Sequence, residues 1–268
     1  MSRGTTLRSL LFALGFYVST AVFLLGGSWL FVAPRSWAMQ GLRLHGLFCT
    51  WLLKVICGVG MEVRGAERLP RGACLVVSKH QSAWDTFALI PIFHDPAIVL
   101  KEELKWIPFY GWFCIKFEHI LVRRDRAALA LKQMVADAED RAAQGREVFI
   151  FPEGTRRPPG ADPDYRSGYV ALYEGLGLPC YPVALNSGLY WPRRTLRRYP
   201  GTIIVEILDP IPPGLARAEF RRRLESSIEE AAGRLLLEAA LGPNPPPLAL
   251  EAASKFEGSN HEHKKNIS

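Results

Sequence analysis

The chain has 268 residues, enough for one large domain or two small ones and for a sizeable buried core. Its five cysteines, Cys49, Cys57, Cys74, Cys114 and Cys180, are odd in number, lack a CxxC pair and sit mostly among apolar neighbours. That excludes a zinc ribbon or a disulfide framework and suits a cytosol-facing domain with reduced thiols. A net charge of +7 could serve nucleic acid, anionic lipid or an acidic partner. The 49% hydrophobic content and mean hydropathy of +0.05 favour lipid.

Residues 9–34 carry no charge and lie between Arg8 and Arg35. As a helix such a run can span about 30 Å of hydrocarbon. A secretory signal would have a shorter apolar core, about 7–15 residues, followed by a small-x-small site, which fits this run poorly. Trp29, Phe31 and Trp37 stand near one end as interfacial anchors. Arginine on both flanks leaves the orientation open. In residues 39–63, Leu44, Leu47, Phe48, Trp51, Leu52, Val55 and Ile56 share one helical stripe, with Arg43 and Lys54 off it. The stripe fits either a soluble core or a membrane interface.

From about residue 61 short apolar runs alternate with helical stretches. Strands are predicted at 61–63, 74–77, 97–100, 120–122, 148–151, 180–184 and 203–207, and helices at 85–92, 103–116, 127–144, 165–176 and 217–241. This alternation predicts an α/β architecture, a largely parallel or mixed sheet flanked by helices. The Pro-rich and then polar stretch after Leu241 reads as a disordered tail. The expected organisation is membrane-anchoring helices over 1–60, an αβ domain over 61–241 and a tail over 242–268.

Four stretches carry candidate chemistry. In the first, an apolar run at 75–77 is followed by His80 and Asp85, five residues apart. On a regular helix five residues lie about 140° apart round the axis. The two side chains therefore meet only if His80 lies in a turn and Asp85 reaches back from the following helix. A histidine aimed by a carboxylate is the minimal general-base unit; a surface histidine before a helix-start acid is the plainer alternative. In the second, Lys101 opens a lysine-rich helix start broken by Pro108 and Gly111, which could hold an anion or be structural. Arg123 and Arg124 end the 120–122 strand, where α/β sites gather, although Arg124 could simply pair with Asp125.

The third runs from a strand into Pro152, Glu153, Gly154, Thr155 and Arg156. Gly154 would let backbone approach a ligand closely. Arg156 offers a planar fork for phosphate, and Glu153 could accept from a hydroxyl or orient the arginine. A turn with a surface salt bridge is the alternative. In the fourth, Pro179 and Pro182 speak against a well-paired central strand, and Asn186 is either a polar contact or part of a turn. Two basic runs, around Arg193–Arg198 and Arg217–Arg223, lack the interleaved aromatics of a single-stranded nucleic-acid surface. They could meet anionic headgroups or an acidic carrier protein, or be solvated faces.

Taken together these blocks resemble the glycerolipid acyltransferases, specifically the bacterial 1-acyl-sn-glycerol-3-phosphate (lysophosphatidic acid) acyltransferase family. The resemblance rests on His80-x4-Asp85, on Lys101, Leu104, Pro108, Gly111 and Arg124, on Phe151 to Arg156 as FPEGTR, and on Tyr181-Pro182-Val183. It covers roughly residues 60–215. Lys79 stands where an asparagine is frequent, Glu118 where a glycine is usual, and Arg123 where an aspartate is common.

The resemblance implies an αβ domain with an N-terminal helical membrane anchor at a bacterial inner membrane, catalytic side to the cytoplasm. It implies transfer of a fatty acyl group from acyl-CoA or acyl carrier protein to the sn-2 hydroxyl of 1-acyl-glycerol-3-phosphate. No further cofactor, metal or nucleic-acid partner is expected. His80 would be the base and Asp85 its orienting group. Lys101, Arg124 and Arg156 would surround the phosphate, and Glu153, Gly154 and Thr155 would shape the acceptor pocket. Another lyso-lipid acceptor, such as lyso-ornithine lipid, or a catalytically dead lipid-binding protein are the alternatives.

Overall fold

A computed structural model describes residues 3–123 and 127–254. Helix α1, Arg3–Gly26, is followed by a 3-10 turn at Ser28–Phe31 and helix α2, Arg35–Cys57. The two helices run antiparallel. Gly15 approaches Leu52, Ser19 meets Cys49, and Thr20 meets His45. Gly58, at φ +71°, caps α2 by donating its N–H to Lys54. The uncharged run thus ends its helix at Gly26 and turns back on itself.

The remaining elements are β1 Val59–Arg64, β2 Cys74–Ser78, α3 Asp85–Ala88, β3 Ala97–Lys101, α4 Tyr110–Lys116, β4 Ile120–Val122, α5 Ala127–Ala143, β5 Glu147–Ile150, α6 Gly168–Leu176, β6 Cys180–Leu185, α7 Ser187–Tyr190, β7 Gly201–Ile207 and α8 Arg217–Leu241. Among the described residues seven strands form one mixed sheet, ordered β1-β7-β6-β2-β5-β3-β4. Every neighbouring pair is parallel except β6–β7.

The period-2 alternation of strand side chains divides the interior into two layers. Val76 and Phe149 face a core shared with Phe12, Leu53 and Trp84; Leu75, Val77, Val148 and Ile150 face one shared with Met134, Tyr169 and Phe220. All five cysteines are buried free thiols.

Several expectations shift. The helix predicted at 85–92 stops at Ala88, two residues before Ile90, because Pro91 disfavours helical backbone in the residue before it. The helix predicted at 103–116 splits at Pro108 into a 3-10 stretch, Glu102–Trp106, and α4. Strand β6 is central despite Pro182. Its missing N–H falls where the neighbouring chain bulges between Ile207 and the Cys180–Ile211 bridge. Residues 247–254 are helical, and Ala249 is buried in the first core, so the disordered tail expected from residue 242 is contradicted as far as 254.

Most of the stripe on α2 points outward, while Leu52 and Ile56 pack against the first core. Leu44, Leu47, Phe48, Trp51 and Val55 are exposed, while Ala38, Met39, Gly46, Cys49 and Leu53 face inward. The domain comes closest at Gly46, where a Cβ would stand 2.7 Å from the Phe87 carbonyl oxygen. Along α1, Leu7, Leu10, Leu14, Tyr17, Val22 and Leu25 are likewise exposed. Of the three expected anchors, Trp29 and Trp37 are exposed, but Phe31 packs on Phe113 at 4.4 Å.

Candidate active site

Strands β2, β3, β4, β5 and β6 point the same way, and the candidate residues gather beyond their C-terminal ends, as in other α/β sheets. His80 lies in the turn after β2, and Asp85 opens α3 and reaches back to it. The imidazole Nδ1 is 2.9 Å from Asp85 Oδ2. That oxygen also accepts the backbone N–H of Gln81 at 2.8 Å and of Ser82 at 2.9 Å. The other, Oδ1, accepts the Ser187 hydroxyl at 2.5 Å. Asp85 is thus fully buried and fixed by four donors. Its contact sets the tautomer: Nδ1 carries the proton and Nε2 the free lone pair. The ring lies on Phe151, with centroids 4.1 Å apart and planes tilted by 24°.

The backbone of His80 is held from the other side by the β5–α6 loop. Its N–H donates to Glu153 Oε2 at 3.2 Å, and its carbonyl accepts the Arg157 N–H at 2.8 Å. The turn bearing the histidine and the FPEGTR loop are therefore one physical unit. Gly154, at φ +61°, makes the tight turn that this loop needs. Glu153 is completely buried and pairs with Lys79 at 2.9 Å. Burial pushes its carboxyl up from the ordinary range, while Lys79 and the His80 amide pull it back.

A cavity of about 810 Å³ opens beside His80. Lys101, Arg123, Arg156 and Arg166 contribute cationic side chains to its lining, with Gly154 and Thr155 between them. Leu104, Tyr110, Leu131, Met134 and Ile150 supply apolar lining. Gly111 fixes the segment that carries Leu104 and Tyr110. A Cβ there would stand 2.2 Å from the Lys105 carbonyl oxygen, so only glycine lets the chain fold back on itself. Among the described residues no three His, Cys, Asp or Glu side chains come together as a metal site.

The structure brings His80, Asp85, Lys101, Gly154, Thr155 and Arg156 to one place. Arg124 lies outside the described residues. Glu153, expected in the acceptor pocket, instead faces away from the cavity toward Lys79 and the His80 amide, because its carboxylate needs a buried cation. Asn186 is structural: its Oδ1 accepts the Ile204 N–H at 2.8 Å and joins β6 to β7. Arg123, expected with Arg124 at the strand end where such sites gather, lies in the cavity wall, and Arg166 joins it there unforeseen. Ser187 was also missed, since an Asn-Ser-Gly turn gives no local sign of a hydroxyl aimed at an aspartate 102 residues earlier.

The two basic runs part company. Arg217 pairs with Glu174 of α6, and Arg221, Arg222 and Arg223 pair with Glu225 and Glu219 along α8, a solvated face. Arg198 is buried over the Trp191 ring at 4.0 Å. Arg193 donates to the Arg156 carbonyl and so reaches the FPEGTR loop.

Residues 60–186 match the Acyltransferase family. The chain is 37% identical over 239 residues to a 1-acyl-sn-glycerol-3-phosphate acyltransferase of Pseudomonas aeruginosa, covering 86% of this chain and 92% of that one. It is 28% identical over 204 residues to a human 1-acyl-sn-glycerol-3-phosphate acyltransferase alpha, covering 75% and 72% of the two chains. The fold is similar to a crystal structure of the 1-acyl-sn-glycerophosphate acyltransferase of Thermotoga maritima. The TM-score is 0.73 at 22% identity, over 86% of this chain and 97% of that one.

Proposed function

Because this chain belongs to the 1-acyl-sn-glycerol-3-phosphate acyltransferase family, we propose that it moves a fatty acyl group from a thioester donor to the sn-2 hydroxyl of 1-acyl-glycerol-3-phosphate, with His80 as the general base. The observation that carries this reading is the His80 Nδ1–Asp85 Oδ2 contact of 2.9 Å at the edge of a cavity with four cationic side chains in its wall. The hydroxyl is a poor nucleophile at neutral pH. His80 Nε2 takes its proton as the oxygen attacks the thioester carbonyl, and Asp85 stabilises the imidazolium that forms. The tetrahedral intermediate then collapses, the C–S bond breaks, and the proton passes to the leaving thiolate. No acyl-enzyme is required.

The acceptor phosphate is held by Arg156, Lys101, Arg123 and Arg166, with Arg124 adjacent in sequence. Gly154 and Thr155 shape the wall between them. The apolar lining suits an acyl chain. Acyl-CoA and acyl carrier protein are both chemically adequate donors.

The enzyme is membrane-associated. The reading extends to a bacterial inner membrane, with the catalytic side in the cytoplasm and the helices lying in one leaflet. Support comes from α1, which is long and apolar enough to cross a bilayer yet rests on the domain. Phe12 packs on Trp191 at 5.2 Å, Phe16 on Phe87 at 5.4 Å, and Phe23 on Phe113 at 5.3 Å.

The test is turnover of the pure protein against a panel of lyso-lipids with both donor types. Lysophosphatidic acid is expected to be the preferred acceptor, and His80→Ala to lower its turnover at least ~10²-fold with the fold retained. Near wild-type activity in that variant would rule out the base. Preference for a phosphate-free lyso-lipid would reassign the acceptor.

A further inference from the structure

Behind the catalytic turn lies a buried charge cluster that the reaction does not touch. Lys79 is 2% exposed and Glu153 fully buried. The Lys79 ammonium is 2.9 Å from Glu153 Oε1 and 2.6 Å from Glu229 Oε1 on α8. The Tyr165 hydroxyl donates to the same Glu229 oxygen at 2.7 Å, and its ring lies 5.6 Å from the ammonium. Glu153 presents its second oxygen to the His80 N–H. One cation thus connects three parts of the chain, and the line of contacts ends on the peptide group of the base.

We propose that Lys79 is a positioning residue of the reaction: shared between Glu153 and Glu229, it holds the Glu153 carboxylate on the His80 amide and ties the base to helix α8. This rests on the acyltransferase reading above. A carboxylate without water needs a compensating cation. The groups that face Glu153 are Lys79 from the end of β2, the His80 amide from the turn, and Glu229 from α8. Lys79 attracts; Glu229 repels. Without Lys79 the remaining balance favours the protonated acid. Glu153 would then take up a proton at a higher pH, and its grip on the amide would weaken there.

The experiment compares Lys79→Met, Lys79→Met/Glu153→Gln and Glu229→Gln with the wild type, using an acyl thioester and lysophosphatidic acid in mixed micelles. Lys79→Met is expected to lower kcat about 10²-fold, the order of loss that a misplaced catalytic group produces. The acceptor KM should stay within about twofold of wild type, since no interaction with bound substrate is removed. Its pH–rate profile should gain an acid limb. The double variant, with no buried charge left to compensate, should recover about tenfold of the lost kcat and lose that limb. In parallel, the His80 amide proton, read by 15N-histidine labelling, should shift in Lys79→Met and return in the double variant.

Wild-type kcat in Lys79→Met, a raised acceptor KM at unchanged kcat, or a double variant no more active than Lys79→Met would each overturn the proposal. If Lys79→Met does not fold, Glu229→Gln decides by the same readouts. A moved amide signal supports the proposal, and an unmoved signal sinks it. A wild type without acyl transfer would refute the enzymatic reading, and the amide signal would still decide the positioning.

Discussion

Asp85 is the residue on which the site's geometry converges, because it answers both to His80 and to Ser187 at the start of α7. The two contacts have different weights. The His80 contact chooses the tautomer, so Asp85→Asn should cost about 10²- to 10⁴-fold in kcat. The Ser187 contact only steadies the carboxylate, and a hydrogen bond to a charged group contributes about 1.5–3 kcal/mol, so Ser187→Ala should cost about 10- to 10²-fold. Steady-state kinetics on the two variants, with circular dichroism to check folding, separates these roles. Equal losses would mean that Ser187 does more than steady its partner. Here the sequence was half legible. The five-residue spacing of His80 and Asp85 required a strand-to-helix turn, and that turn is found. The donors from Ser187 and to Glu153 are contacts between distant segments, and no local pattern announces them.

At the scale of elements, short apolar runs located all seven strands, most of them buried, and periodicity missed helix ends set by proline chemistry at Pro91 and Pro108. It also found the apolar stripe of α2 without deciding which way it faced. The structure decides through size at the closest approach: Ala38, Gly46 and Cys49 let the inner face come near the domain beside Met39 and Leu53, while Leu44, Leu47, Phe48, Trp51 and Val55 point outward. An outward apolar stripe has little to do with stability and much to do with lipid. Trp51→Glu is therefore expected to change the unfolding free energy by no more than about 0.5 kcal/mol. Its removal from the bilayer interface should weaken vesicle binding about tenfold or more, given roughly 1.5–3 kcal/mol for burying a large apolar side chain. Sedimentation with anionic vesicles and a thermal melt check both halves. A large loss of stability with unchanged binding would place the stripe inside the protein's own structure in solution.

Across the whole molecule, the sequence suggested an anchor ending near residue 60 and a separate catalytic domain, but burial does not respect that line. Phe12, Leu53 and Cys57 from the helices share one core with Val183, Leu185 and Ile203 from the sheet. The Ser9 hydroxyl accepts the Arg198 N–H at 2.9 Å, and Arg35 makes a two-pronged contact with Asp95. Composition could show that residues 9–34 are apolar; it could not show that Phe12 lies beneath Trp191, because that depends on where the chain returns 179 residues later. The helices are therefore wall as well as anchor. Deleting residues 1–58 should uncover the first core layer and cost several kcal/mol, at about 1.5–3 kcal/mol for each large side chain lost or exposed. The truncated chain is expected to melt well below the full chain and to aggregate when expressed without detergent. A monomeric truncation with the full chain's melting temperature would show that residues 1–58 only tether the enzyme. The predicted instability instead makes the helical hairpin part of the fold that holds His80, so the surface that meets the leaflet and the site that transfers the acyl group are built on a shared core.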